Sequence, residues 1–178
     1  MRKKITTNKT NVKWALTSSA GGPGWNVTVF VPASASSFSD FPWDPTFRQV
    51  VSNVIVSYLS YHDDFAKDFP GTPANDFAIV ATGNVAVSAG YHVFCTFSYD
   101  GSSLFVDGTR LFDNYGTYMH PTCGYIRLNE GIHTITVNYF KQHANRTGSR
   151  ASLEVSMDGS LIIMNGKDPH IMLFDWIP

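Results

Sequence analysis

The residues best placed to do chemistry lie between positions 97 and 114, in Phe-Ser-Tyr-Asp-Gly-Ser-Ser-Leu-Phe-Val-Asp-Gly-Thr-Arg-Leu-Phe-Asp-Asn. Asp100-Gly101 and Asp107-Gly108 each set a carboxylate beside a glycine, and Asp113-Asn114 adds a carboxylate and an amide. Oxygen-bearing side chains on loops are the groups with which a rigid scaffold meets a ligand. The residues alone leave open whether these loops bind anything. Asp-Gly between apolar runs is also a strong hairpin signal, because both central positions of a type I′ turn need φ > 0. Residues 92–112 are expected to form three antiparallel strands joined by two tight turns.

No catalytic residue is expected. The chain has no Gly-x-Ser-x-Gly elbow and no His-Glu-x-x-His. Gly159 and Gly166-Lys167 are wrongly spaced for a phosphate loop, and Asp168 stands where Ser or Thr would hold magnesium. The six histidines show no metal-ligand spacing. His133 is read as lying on the wet face of its strand. Nothing marks a pair of glycosidase carboxylates. His62-Asp63-Asp64 reads as a solvated turn after a strand.

The elements that must position these groups read as strands. Helical periodicity is nearly absent. Its best candidate, 47–59, carries Val50-Val51 and Val54-Ile55-Val56, β-branched residues at a period closer to two. Strands are expected at 26–31, 50–61, 77–81, 84–87, 91–98, 102–106, 110–112, 123–128, 131–140, 151–157 and 161–164. The clearest alternation puts Ile135, Val137 and Tyr139 on one face and Thr134, Thr136 and Asn138 on the other, as in a sheet with one wet side. Many short strands with regular turn signals indicate an all-β antiparallel sandwich or barrel. No internal repeat of convincing length is read.

Composition fits this. A chain of 178 residues suits one domain, and 15% charged with 14% aromatic residues suits a strand-rich protein. The net charge of −1 gives no electrostatic reason to expect nucleic acid as partner. Residues 1–24 read as a basic arm with a Gly/Ser joint, since Arg2, Lys3, Lys4, Lys9 and Lys13 precede the first acid, Asp40. The arm lacks the apolar core of a secretory signal, and Met1 is read as a natural start. The uncharged stretch 77–99 is broken by Gly83-Asn84 and Ser88-Ala-Gly90, so no membrane span is expected. Cys95 and Cys123 could pair or stay as free thiols. The sequons at Asn8, Asn26 and Asn145 would matter only in a secreted protein. Phe38, Phe41, Trp43 and Phe47 are expected to fold over a core edge, and 165–178 is an apolar extension that packs on the domain or a partner.

Together these segments resemble the PA-fourteen domain family. The matching stretches are Gly90-Tyr-His-Val-Phe94, Tyr99-Asp-Gly-Ser-Ser-Leu-Phe-Val-Asp-Gly108, Asp113-Asn114, Leu128-Asn-Glu-Gly-Ile-His-Thr-Ile-Thr-Val-Asn-Tyr-Phe140 and Ser152-Leu-Glu-Val-Ser156. The similarity is specific from about 77 to 158 and thin before that. It implies an antiparallel β-sandwich over 25–164, with His92 at a core position. In the family's adhesins two adjacent Asp residues before the Gly hold a calcium that bridges to sugar hydroxyls, which suits an ion taking six to eight oxygen ligands. Here Tyr99 stands in place of the first Asp, so calcium is disfavoured and no cofactor is expected.

The resemblance implies a non-catalytic recognition module that binds a glycan or cell-surface ligand through its turn loops, with Asp100, Gly101, Asp107, Asp113 and Asn114 as the candidate ligand-binding residues. The alternative is a structural or assembly component of a large complex, such as a virion, filament or ciliary assembly, using the basic arm and C-terminus. Localisation is left open between the cell surface and a virion or intracellular assembly.

Overall fold

A computed structural model describes residues 24–31, 49–114, 120–142 and 151–162. The expectations for the basic arm, the aromatic-rich stretch 32–46, Asn8, Asn145 and the 165–178 extension fall outside these residues. The elements are β1 (Trp25–Val31), β2 (Gln49–Val56), β3 (Ser60–His62), α1 (Phe65–Asp68), β4 (Phe77–Val87), β5 (Gly90–Tyr99), β6 (Ser102–Val106), β7 (Thr109–Asn114), β8 (His120–Leu128), β9 (Gly131–Lys141), β10 (Ser152–Met157) and β11 (Ser160–Leu161). Among the described residues no helix is long and apolar enough to cross a membrane.

Two antiparallel sheets face each other. The first runs β2-β1-β4-β9-β6-β7; the second runs β11-β10-β5-β8, with β3 also paired to β10. Period-two alternation builds the interface between them. Trp25, Val27 and Val29 of β1, Ile79 and Ala81 of β4, and Ile135, Val137 and Tyr139 of β9 are buried from one sheet. Phe94, Leu153, Val155 and Met157 are buried from the other. Full burial of one such side chain is worth about 1.5–3 kcal/mol, so a one-residue slip of β9 would forfeit several kcal/mol by turning three of them outward. One end of the core is closed by rings: Tyr61 stands 4.7 Å from Phe69, and Phe65 of α1 stacks 5.6 Å from Tyr139.

The fold class expected from the sequence is the one found. Four local readings are corrected. The strand read over 50–61 is two, β2 and β3, and a single turn of helix that the sequence did not suggest follows them. The strands read over 77–81 and 84–87 are one, β4, which continues through Gly83 and Asn84. Gly83 pairs with Ile135, and the Asn84 amide oxygen accepts from Thr134 Oγ1 at 2.9 Å, so these turn-type residues are satisfied inside the sheet. His133 shares the inward side of β9 with Ile135, at its rim, while Ile132 is the exposed residue there.

The fourth correction concerns Asp100-Gly101. Only one of the two expected hairpins forms: β6 and β7 pair across Asp107-Gly108, with φ of 49° and 77°. β5 pairs with β8 and β10, whereas β6 pairs with β7 and β9, so Asp100-Gly101 carries the chain from one sheet to the other. Neither residue has the positive φ of a type I′ turn, and the Tyr99–Asp100 peptide is cis. Asp100 bonds to the end of β9 rather than to its own neighbours, and this long-range grip overrides the local hairpin preference.

Cys95 and Cys123 sit directly opposite each other on β5 and β8 and form a disulfide with Cα atoms 4.1 Å apart. This resolves the alternative that the sequence left open.

Candidate functional site

The sheet-to-sheet corner is assembled from four strands. Asp100 is 3% exposed and Lys141, the last residue of β9, is fully buried. Lys141 Nζ donates to Asp100 Oδ2 at 3.3 Å, and the Gln142 backbone N–H donates to the same oxygen at 2.8 Å. The ammonium also lies 5.0 Å from the Tyr99 ring centroid and donates to the Gln142 carbonyl. The Tyr139 hydroxyl donates to the Tyr99 carbonyl, and the Phe140 N–H to the Gly101 carbonyl at 3.0 Å. Both sides of the corner are thereby tied to β9.

Behind it lies a buried hydroxyl chain. Ser102 Oγ is 2.8 Å from Thr96 Oγ1 and 2.9 Å from Ser98 Oγ, and the Asn114 amide donates to Ser98 Oγ at 3.2 Å. Among the described residues, Ser103 Oγ is buried without a hydrogen-bond partner. A satisfied network of this kind fixes one arrangement of strands, because an unpaired buried polar group is costly.

Four of the five candidate ligand-binding residues gather at this end. Asn114 and Asp113 lie opposite Ser102 and Ser103, bringing both next to Asp100-Gly101. Asp100, Gly101 and Asn114 are buried, while Asp113 is exposed and pairs with Arg110 at 3.2 Å. Asp107 lies at the other end of β6, about 17 Å away at the rise of a five-residue strand.

Asp107 has a different occupation, one duplicated in the second sheet. His133 Nδ1 donates to Asp107 Oδ2 at 2.6 Å and Nε2 to the Asn129 carbonyl at 3.1 Å, while the Thr134 N–H donates to Asp107 Oδ1 at 2.9 Å. Likewise, His92 Nδ1 donates to Asp158 Oδ2 at 2.8 Å and Nε2 to the Ser88 carbonyl at 2.9 Å, with the Val93 N–H on Asp158 Oδ1 at 2.8 Å. Each Asp opens an Asp-Gly turn at positive φ, and each His stands two residues after a strand-opening glycine. Two acceptors flanking each imidazole favour its doubly protonated form. Burial pulls both pKa values down, but the carboxylate and carbonyl bonds and the carboxylate charge outweigh it and leave both above the usual histidine value. Burial raises the Asp107 pKa, and the His133 and Thr134 bonds with the His133 charge outweigh that and lower it. The signal for these clamps lies in the sequence as Gly-x-His after each turn and as the Asp158-Gly159 turn, features that no local motif marks as a pair.

The corner does not fit a calcium ion. Its one buried carboxylate accepts from an ammonium and an amide, and among the described residues no three His, Cys, Asp or Glu side chains form a metal-holding group. Ser152 Oγ lies 3.0 Å from His62 Nδ1, but Ser152 is only 1% exposed, which closes it to a substrate. Elsewhere, the outer face of β5 and β8 presents Tyr91 and Tyr125, 77% and 75% exposed, as diagonal neighbours beside the disulfide.

No protein-family model matches the sequence, and no curated protein matches it. Solved structures do. An anti-sigma factor domain-containing protein from Clostridium clariflavum matches with TM-score 0.60 and 18% identity, over 80% of this chain and 46% of the other. The PA14 domain of the antifreeze protein MpAFP matches with TM-score 0.60 and 18% identity, over 85% and 94%. A PA14 sugar-binding domain from an RTX adhesin matches with TM-score 0.55 and 20% identity, over 79% and 94%. The chain spans about half the length of the anti-sigma factor domain-containing protein and nearly all of the two PA14 domains. It has a PA14-like fold, as the motifs implied.

Proposed function

We propose that this chain is a non-catalytic recognition module that binds a glycan at the Asp100 end of its sandwich. The observation that carries the reading is the convergence there of Asp100, Gly101, Asp113 and Asn114 on a corner braced by β9. Buried Asp100 and Asn114 hold the backbone in place, and exposed Asp113 meets the ligand. Sugar hydroxyls are donors as well as acceptors, so a carboxylate on a rigid strand end suits them. A solved PA14 domain of similar extent is described as sugar-binding. The histidine–carboxylate pairs are committed to closing turns, which leaves them no part in acid–base chemistry. On this reading Asp107, at the opposite end of β6, takes no part in the binding.

Thermal unfolding against a broad saccharide panel tests the reading. A ligand that binds only the native state at about a hundred times its Kd adds about 2.7 kcal/mol of stability. At least one saccharide class is expected to raise Tm by several degrees. Indifference to every saccharide would sink the proposal.

A further inference from the structure

We propose that Lys141 supplies from within the chain the positive charge that a calcium ion supplies at this corner in PA-fourteen adhesins, so that the Asp100 turn is assembled without a metal. Burying an ammonium is expensive unless it is paired and hydrogen-bonded. Lys141 is fully buried all the same, with its Nζ on Asp100 Oδ2, on the Gln142 carbonyl and over the Tyr99 ring. Among the described residues a single carboxylate, that of Asp100, meets this single ammonium. A divalent ion would need several more oxygens and a second negative charge, and it would sit against that ammonium.

Tyr99 and Lys141 therefore belong together. With Tyr99 in place of a carboxylate, the corner has lost one negative charge and gained a ring face. Lys141 uses both changes, since an ammonium is satisfied by one carboxylate and a π-face. The inference concerns the assembly of the corner and does not depend on what the module binds.

The test follows Tm of the intact, disulfide-bonded protein in excess calcium and in excess EDTA. The unsubstituted protein should melt at the same temperature in both. Tyr99→Asp alone should remain indifferent to calcium, because the ammonium still holds the place. Tyr99→Asp combined with Lys141→Asn should acquire a calcium-dependent rise of about 5–10 °C, the shift expected for an ion well above its Kd in a protein of this size. A calcium response from the unsubstituted protein or from Tyr99→Asp alone overturns the proposal, as does indifference of a folded double variant. A double-mutant cycle covers the case in which that variant does not fold. Asp100→Asn and Lys141→Met should each lower Tm strongly, and together by clearly less than the sum. Additive losses overturn the proposal as well.

Discussion

A side chain at Gly101 has nowhere to go: a Cβ would stand 2.2 Å from Phe140 Cε1 and 2.9 Å from the Asn114 carbonyl oxygen. Gly108 is the opposite case, with φ of +77° and open space around it. Gly101→Ala is expected to cost about 2–3 kcal/mol by overpacking, and Gly108→Ala about 1–2 kcal/mol through the left-handed backbone alone. Urea unfolding separates the two as falls in midpoint at unchanged slope. The histidine clamps predict a pH dependence at the same scale. His92 and His133 have raised folded-state pKa values, so their contribution is full below about pH 6.5 and is lost as pH rises through those values. Asp107 has a lowered value, so its contribution holds above about pH 4 and is lost as pH falls further. Stability from the clamps should peak between about pH 4 and 6.5 and fall by about 0.5–1 kcal/mol per clamp toward pH 8, a modest figure because the carboxylates are about half exposed. His92→Gln with His133→Gln should flatten the alkaline limb of a Tm-against-pH profile; an unchanged limb would count against the clamps. The Gly-x-His and Asp-Gly pieces were legible in sequence, but their pairing was not, because each joins residues 26 or 66 positions apart.

Between strands, the decisive contacts are cross-strand. The disulfide joins the middle of β5 to the middle of β8 and closes a loop of 28 residues. Chain-entropy arguments put such a closure at about 3–4 kcal/mol. Cys95→Ala with Cys123→Ala should therefore lower stability by up to that amount while keeping the strand-rich circular dichroism spectrum. On the same strand, a Cβ on Gly124 would lie 2.6 Å from Leu111 Cγ and 2.9 Å from Phe112 Cδ1, so β7 rides directly over β8 there. Alternation made most strands readable, since each buries one face. It failed where a local signal met a distant partner. Gly83-Asn84 looked like a break because the Thr134 hydroxyl that satisfies Asn84 comes from β9. Asp100-Gly101 looked like a hairpin because the grip of Lys141 and Gln142 on Asp100 is invisible to any short window.

For the whole molecule, the sequence motifs led to the correct sandwich and to most of the residues at its Asp100 end, because the family resemblance rests on the strands that build that end. Local periodicity could not show that Asp107 lies at the opposite end, nor that a buried lysine completes the corner. Both depend on strand order, which sets β6 between β7 and β9. Glycan binding at this end of the sandwich, as proposed, needs no metal. The decisive experiment is glycan-array binding of the intact protein in EDTA, beside its Asp113→Ala and Asp107→Ala variants. A defined saccharide class should be bound, weakened at least about fivefold by Asp113→Ala, a loss of roughly 1 kcal/mol, and unaffected by Asp107→Ala. Binding to no saccharide, or binding that Asp113→Ala leaves intact, would contradict the proposal.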